Sequence, residues 1–370
     1  MVSRRSFLTR LALVPCAPFI NRGRFQLFAA SSPVEYSAQT IELVQGSTVI
    51  DMLSPLTLDF KKLYGWQDRP AEFHDSNYET LRNSGIAIFH PSVGFTSGDI
   101  HAASLADITR WNLFIAAHST RFMRIDAPAD IAAAKASGRI GIVIGQKNSA
   151  HFRSVRDVDS FYKMGQRVSQ LTYVPNRIGG GSSDPRDPGL TPFGGEIVSR
   201  MNQLGMAVDV SHCADRTTLD AVDASQKPVL ITHSNCRALA PHVARCKTDE
   251  AIRKAASKGG VMGVTMIRLF CHPGGRATLD DVLDHIDHIV EIAGIEHAGI
   301  GSDVDLEGHD SRSPEQNTFV DGIRYPKKIF DVTEGLLRRG YAARDIEMIL
   351  GGNFARVLGT IWADRTEGAN

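Results

Sequence analysis

Ala207-Val208-Asp209-Val210-Ser211-His212 is an apolar, β-branched run that ends on an imidazole, and Val229-Leu230-Ile231-Thr232-His233 soon repeats it. Runs of this kind, five to eight residues long, are strand candidates. Working outward, similar runs occur at Thr48–Leu53, Ile86–His90, Ile140–Gln146, Gln170–Val174, Val261–Met266 and Ala298–Asp303. Segments of helical periodicity alternate with them, including Ser104–Ala117, Glu196–Leu204, Asp249–Ser257 and Leu279–Ala293. Two further helices are expected at Pro326–Arg339 and Ala343–Trp362, the second interrupted at Gly351-Gly352-Asn353.

Repeated strand–helix alternation implies parallel strands joined by right-handed crossovers. Eight such units predict an α/β fold of the (β/α)8 TIM-like barrel class, and 370 residues suit one such domain. The competing arrangement is a doubly wound open sheet. Its dinucleotide-binding form is disfavoured, because no GxGxxG follows the first strand. The loop Gly179–Pro192, rich in Gly, Ser, Asp and Pro, is a candidate lid or substrate loop.

The 41 basic and 41 acidic residues balance, which argues against a nucleic-acid binder. No apolar run approaches the roughly 18 residues of a membrane span. The balance hides an asymmetry. Residues 1–30 hold Arg4, Arg5, Arg10, Arg22 and Arg24 and no acidic residue, so the remainder carries 36 basic against 41 acidic residues, a net −5. Ser3-Arg4-Arg5-Ser6-Phe7-Leu8 resembles the twin-arginine export signal of bacteria, with an apolar stretch to Ile20 and a cleavage region at Ala29-Ala30. The expectation is a signal over 1–30 handled by the twin-arginine machinery, and a single barrel domain with C-terminal helices over 31–370. The mature protein would be periplasmic or secreted. Cys213, Cys236, Cys246 and Cys271 show no CxxC spacing and read as buried thiols.

Chemistry in this fold gathers at the C-terminal ends of the strands. His212 and His233 close adjacent strands, which run about 4.8 Å apart. Two imidazoles at one level can share a divalent metal. Asp303, at the end of the last strand, is a further ligand or a general base.

These stretches resemble the membrane (renal-type) dipeptidase family of zinc metallopeptidases. The resemblance rests on Gly189-Leu190-Thr191-Pro192-Phe193-Gly194, Leu204 to His212, Thr232-His233-Ser234-Asn235-Cys236-Arg237-Ala238-Leu239, Gly299-Ile300-Gly301-Ser302-Asp303 and Gly351-Gly352-Asn353-Phe354, over about residues 45–363. It implies a TIM-like barrel with His212 and His233 as ligands of one zinc. It also implies Asp303 as the catalytic aspartate and Arg245 as the partner of a substrate carboxylate. Departures are equally informative. Where the family has a His-x-Asp pair for a second zinc, this chain has Leu53 and Pro55. A bridging glutamate is replaced by Gln146, and a substrate-contacting histidine by Tyr173.

Two dications ~3.5 Å apart repel by roughly 19 kcal/mol at an effective dielectric near 20, so losing carboxylates is costly to a two-ion site. The expectation is therefore one zinc ion on His212 and His233, with Asp303 or the Gln146 side-chain oxygen as third ligand. His90 is a candidate compensating ligand. The function expected is an exported metal-dependent dipeptidase-like hydrolase of a dipeptide or small amide with a free carboxylate. The alternatives are a non-catalytic binding protein on the same scaffold and a hydrolase of another bond, such as a lactone. A homo-oligomer is compatible with the sequence.

Overall fold

The computed structural model describes residues 24–26, 35–305 and 320–363. Eight parallel strand positions succeed one another: Ile50–Asp51, Ile88–Phe89, Ile140–Ile142 continued by Gly145–Gln146, Val168–Gln170, Ala207–Asp209, Ile231–Ser234, Met262–Val264 and Ala298–Ile300. Each pairs with the next, through the bridge Asp209 to Leu230 at the fifth and sixth, and Ile300 pairs back onto Asp51. The expected barrel is therefore the architecture observed.

The strands are shorter than the apolar runs suggested, because polar side chains capture the backbone beyond them. Ser211, past the fifth strand, donates its N–H and hydroxyl to Asp209 Oδ1 at 2.9 and 2.5 Å. Ser302, past the last strand, does the same to the two Asp51 oxygens at 2.9 and 2.6 Å. His212 and Asp303 thus stand on loops just beyond their strands. Tyr173 likewise follows a strand that ends at Gln170 rather than at Val174.

The third strand changes partners midway. Val143 N–H still donates to Phe89 O at 3.0 Å, while Ile144 O accepts from Arg167 N at 2.8 Å. The first half also pairs with a short outer strand, Phe122–Arg124, too brief to carry a sequence signal.

Helices Asp249–Ser257 and Leu279–Ala293 have the bounds expected, and Ile100–Ala117 starts earlier than expected, where the Asp99 carboxylate accepts from Ala102 N at 3.0 Å. The Gly351-Gly352 interruption is one π-type turn, Met348–Gly352, leading into the helix Asn353–Ala363. A Cβ on Gly351 would lie 2.0 Å from Thr48 O, so only glycine allows this approach to the first strand. Asn353 Nδ2 then donates to Ile295 O and Ala298 O at 2.7 and 2.8 Å. Phe354, Val357, Leu358, Ile361 and Trp362 pack in one buried cluster with Ile50, Ile88, Val168, Ala207 and Leu230 at or just before the strand starts. That packing fills one end of the ring and leaves chemistry to the other.

Residues 1–23 and 27–30 of the expected export signal, with its cleavage region at Ala29-Ala30, lie outside the described residues. Arg24–Gln26 pairs antiparallel with Glu35–Ser37. Among the described residues no helix is long and apolar enough to cross a membrane.

Candidate functional site

His212 and His233 meet at the C-terminal mouth, their Nε2 atoms 3.1 Å apart. Thr232 Oγ1 donates to Asp209 Oδ2 at 2.7 Å and so accepts from His233 Nδ1 at 2.8 Å. That relay places the His233 proton on Nδ1 and leaves Nε2 as a lone-pair donor. Both histidines are held neutral, with pKa values well below the usual imidazole range. Burial is the main cause, reinforced by the positive charges of Lys147 and Arg245.

Beside them is a cavity of about 320 Å³ with largely apolar walls that include Leu53, Pro55, Trp111 and Phe270. His212, Tyr173, Lys147 and Asp303 supply much of its polar surface. Asp303 adopts a left-handed backbone, φ 57°, held by its N–H to Leu53 O at 2.8 Å. A non-glycine residue in this region stores strain, a recurrent feature of functional positions. Lys147 Nζ donates to Asp303 Oδ1 at 2.8 Å.

The remaining expected residues divide. The Tyr173 ring stacks on His212 at a centroid distance of 4.4 Å, in space left by Gly94, whose added Cβ would sit 3.1 Å from that ring. Arg245 departs from expectation. Its guanidinium donates to Ser211 O at 2.7 Å, Ser234 Oγ at 3.0 Å and His233 O at 2.6 Å, and it is outside the cavity lining. It clamps the two histidine-bearing chain ends, while its Nε stays buried without a partner. Gln146 Nε2 donates to Asp107 Oδ2 at 2.8 Å, so the side chain is engaged beneath the mouth, although its Oε1 is buried without a partner. Burial raises the Asp107 carboxyl to about 6. His90 donates from Nδ1 to Met52 O at 2.8 Å. Its Nε2 is unpartnered and packs over Gly145, where an added Cβ would come within 2.0 Å. His90 is nonetheless close enough to His233 to act on its charge, and its free Nε2 keeps it a candidate ligand.

The loop Gly179–Pro192 is a brace and not a lid. Ser182 N donates to His212 O at 2.7 Å, Gly180 N to Thr217 Oγ1 at 2.9 Å, and the Asp187 carboxylate accepts from Arg216 N and Thr217 N at 2.6 and 3.2 Å. The four cysteines of the barrel are free and buried, and burial pushes all four thiols up, as inert thiols require.

Four residues escaped the sequence reading. Lys147 and Thr232 adjoin residues that were singled out, and Asp209 sits three before His212. Lys328 lies far along the chain. Its fully buried ammonium donates to Ser54 Oγ, Ser302 Oγ and Val304 O at 3.1, 2.8 and 2.8 Å and faces Asp51 Oδ2 at 3.4 Å. It ties the first strand to the last directly behind Asp303. An acidic residue shortly before a strand-end histidine was the one available signal.

As a metal site, the donor set fits one ion and not two. Two zinc-bound nitrogens in tetrahedral geometry stand about 3.3 Å apart, close to the separation of the histidine pair. A second ion would meet Leu53, Pro55 and the Lys147 cation. Among the described residues no three His, Cys, Asp or Glu side chains converge into a ready shell. The single ion is therefore expected to be weakly held.

A family model described as membrane dipeptidase (peptidase family M19) matches residues 38–367. An uncharacterized dipeptidase of Schizosaccharomyces pombe is 32% identical over 263 residues, covering 68% of this chain and 60% of that protein. The dipeptidase aclJ of Aspergillus oryzae is 31% identical over 230 residues, covering 60% of this chain and 52% of that protein. The chain thus spans between half and two thirds of the length of these curated relatives. A solved amidohydrolase from Pseudomonas aeruginosa superposes with a TM-score of 0.75 at 29% identity, over 88% of this chain and 99% of that one.

Proposed function

The chain belongs to the membrane dipeptidase family, and on that premise we propose that it hydrolyses a dipeptide or similar small amide carrying a free carboxylate. The observation that carries the reading is the buried pair of neutral imidazoles, Nε2 to Nε2 at 3.1 Å, beside a cavity that also holds Asp303. His212 and His233 would hold one divalent ion, zinc in the first instance. When bound, it would supply a Lewis acid for the attacking water and the scissile carbonyl.

The chain's own residues do the rest. Asp303 accepts the proton of the attacking water and returns it to the leaving amine. Its strained backbone and its contact with Lys147 hold the carboxylate in place. The apolar walls receive the substrate side chains and exclude water. Arg245 positions the histidines through their neighbouring carbonyls, and Tyr173 limits the ring movement of His212. We also place the mature protein outside the cytoplasm, because Arg4-Arg5 opens an acid-free segment of 30 residues. Fractionation of cells expressing the full chain and its Arg4→Lys/Arg5→Lys variant tests this, and cytoplasmic retention of the unaltered chain would refute it.

The enzymatic test has two parts. Elemental analysis of protein purified without chelators should find about one ion per chain, lost in His212→Ala. Incubation of the loaded protein with a dipeptide mixture should release free amino acids, and Asp303→Ala should not. Metal without release would favour the binding-protein alternative, and unchanged turnover in Asp303→Ala would remove Asp303 from the mechanism.

A further inference from the structure

We propose that Lys147 is the resident cation of this site: its ammonium takes up Asp303, limits the cavity to one exchangeable metal ion, and weakens the hold on that ion. Among the described residues lining the cavity, Asp303 is the one carboxylate and Lys147 the one permanent cation. They are paired at 2.8 Å, and their side chains are only 16% and 15% exposed. The backbone fixes this placement. Lys147 N donates to Val93 O at 3.1 Å, and Lys147 O accepts from Gln170 Nε2 at 2.5 Å. The lysine is thus pinned between the second and fourth strand ends, aimed across the mouth at the last.

Charge counting gives the consequence. Imidazoles that bind a metal do so neutral, so among the described lining side chains Lys147 and Asp303 sum to zero before any ion enters, while buried Arg245 adds positive charge from outside that lining. One divalent ion brings that sum to +2, a charge that one hydroxide and one substrate carboxylate would cancel. A second ion would bring +4 into walls made largely of Leu53, Pro55 and other apolar groups. A unit charge within about 5 Å of a divalent ion weakens its binding about fifteenfold even at the dielectric of bulk water. Lys147 also engages Oδ1 of Asp303, the one carboxylate of the described cavity lining. The cationic site therefore favours an anionic substrate, with Lys147 supplying a charge that needs no metal. This inference rests on the one-ion reading above for its starting point, but its test separates the two.

The experiment is a zinc titration of the full chain and its variants against a chromophoric chelator, with circular dichroism and melting curves to verify folding. The native protein is expected to bind no more than one zinc per chain. Lys147→Met should bind zinc at least tenfold more tightly, because repulsion is gone and Asp303 is free. Lys147→Arg keeps the charge and should stay within threefold of the native protein. A gain below tenfold in folded Lys147→Met would overturn the proposal, as would two zinc ions per native chain. No zinc in the native protein but one in Lys147→Met would sink the one-ion reading while supporting Lys147 as the standing cation. No zinc in any variant would overturn both.

Discussion

Replacing Thr232 by valine tests the hydrogen-bond relay that sets the histidine pair. The substitution exchanges a hydroxyl for a methyl of nearly the same shape, so it opens no cavity. Two bonds are lost, from Thr232 Oγ1 to Asp209 Oδ2 at 2.7 Å and from His233 Nδ1 to Thr232 Oγ1 at 2.8 Å. A hydrogen bond to a buried carboxylate is worth about 1.5–3 kcal/mol, and stranding a buried N–H costs about 1–3 kcal/mol. The expected loss of stability is therefore about 3–5 kcal/mol. In domains somewhat smaller than this one, each kcal/mol moves Tm by about 2–4 °C, so a fall of about 6–20 °C is expected by calorimetry. Asp209 keeps Ser211 N, Ser211 Oγ and Thr232 N on Oδ1, so the strand end should survive. With Nδ1 no longer bonded, His233 loses the bias that leaves Nε2 as its lone pair. Removal of such a supporting partner typically costs 10–100-fold in metal affinity. Zinc competition and dipeptide turnover would both read this, and Thr232→Ser should restore them. Thr232→Val that melts earlier but binds zinc and turns over normally would refute the relay argument. Unchanged melting would refute the hydrogen bonds themselves.

Lys328→Met strands the buried Asp51 carboxylate and should cost about 3–5 kcal/mol in urea unfolding, partly recovered by adding Asp51→Asn. A single variant as stable as the parent would show that this link across the barrel seam is dispensable. Acid should destabilise the fold. Burial, as the largest cause, holds His90, His151 and His285 down at about 4, so the unfolded chain binds more protons between pH 6.5 and 4. Their stability is fully present above pH 6.5 and is lost as pH falls toward 4, roughly 3 kcal/mol for each. Asp107, raised to about 6, acts in the opposite sense, stabilising below 3.8 and losing that stability as pH rises through 6, which offsets about one histidine. A urea midpoint that is flat between pH 7 and 4.5 would contradict this balance. Arg245→Ala should lower stability and zinc affinity together, because it releases Ser211 O and His233 O. A rise in KM alone, with normal melting, would return Arg245 to the role of substrate-carboxylate partner.

The legibility of this protein follows the range of the interactions involved. Periodicity is local, so the barrel could be read from eight apolar runs and the helices between them. Asp249–Ser257 and Leu279–Ala293 are legible from helical periodicity, and in the structure Thr248 and Thr278 occupy their N-cap positions. His212, His233 and Asp303 were legible because strand ends deliver their side chains to one mouth whatever the packing details. Loss of the second ion's donors was likewise legible, since Leu53 and Pro55 cannot coordinate in any conformation.

The rest depends on which side chains meet, and only the folded ring decides that. Arg245 has the charge to hold a carboxylate, but tertiary packing commits its terminal nitrogens to Ser211 O, His233 O and Ser234 Oγ. Lys147 is anonymous in sequence and becomes prominent because strand three sets it opposite Asp303, 156 residues away. Lys328 reaches Ser54 across 274 residues, a pairing that no local pattern encodes. Thus the sequence alone determined the barrel, its reactive end and the histidine pair, through periodicities that repeat every few residues. Tertiary structure decided tautomer, charge balance and the partner of each cation, because these arise from single contacts between strands far apart in the chain.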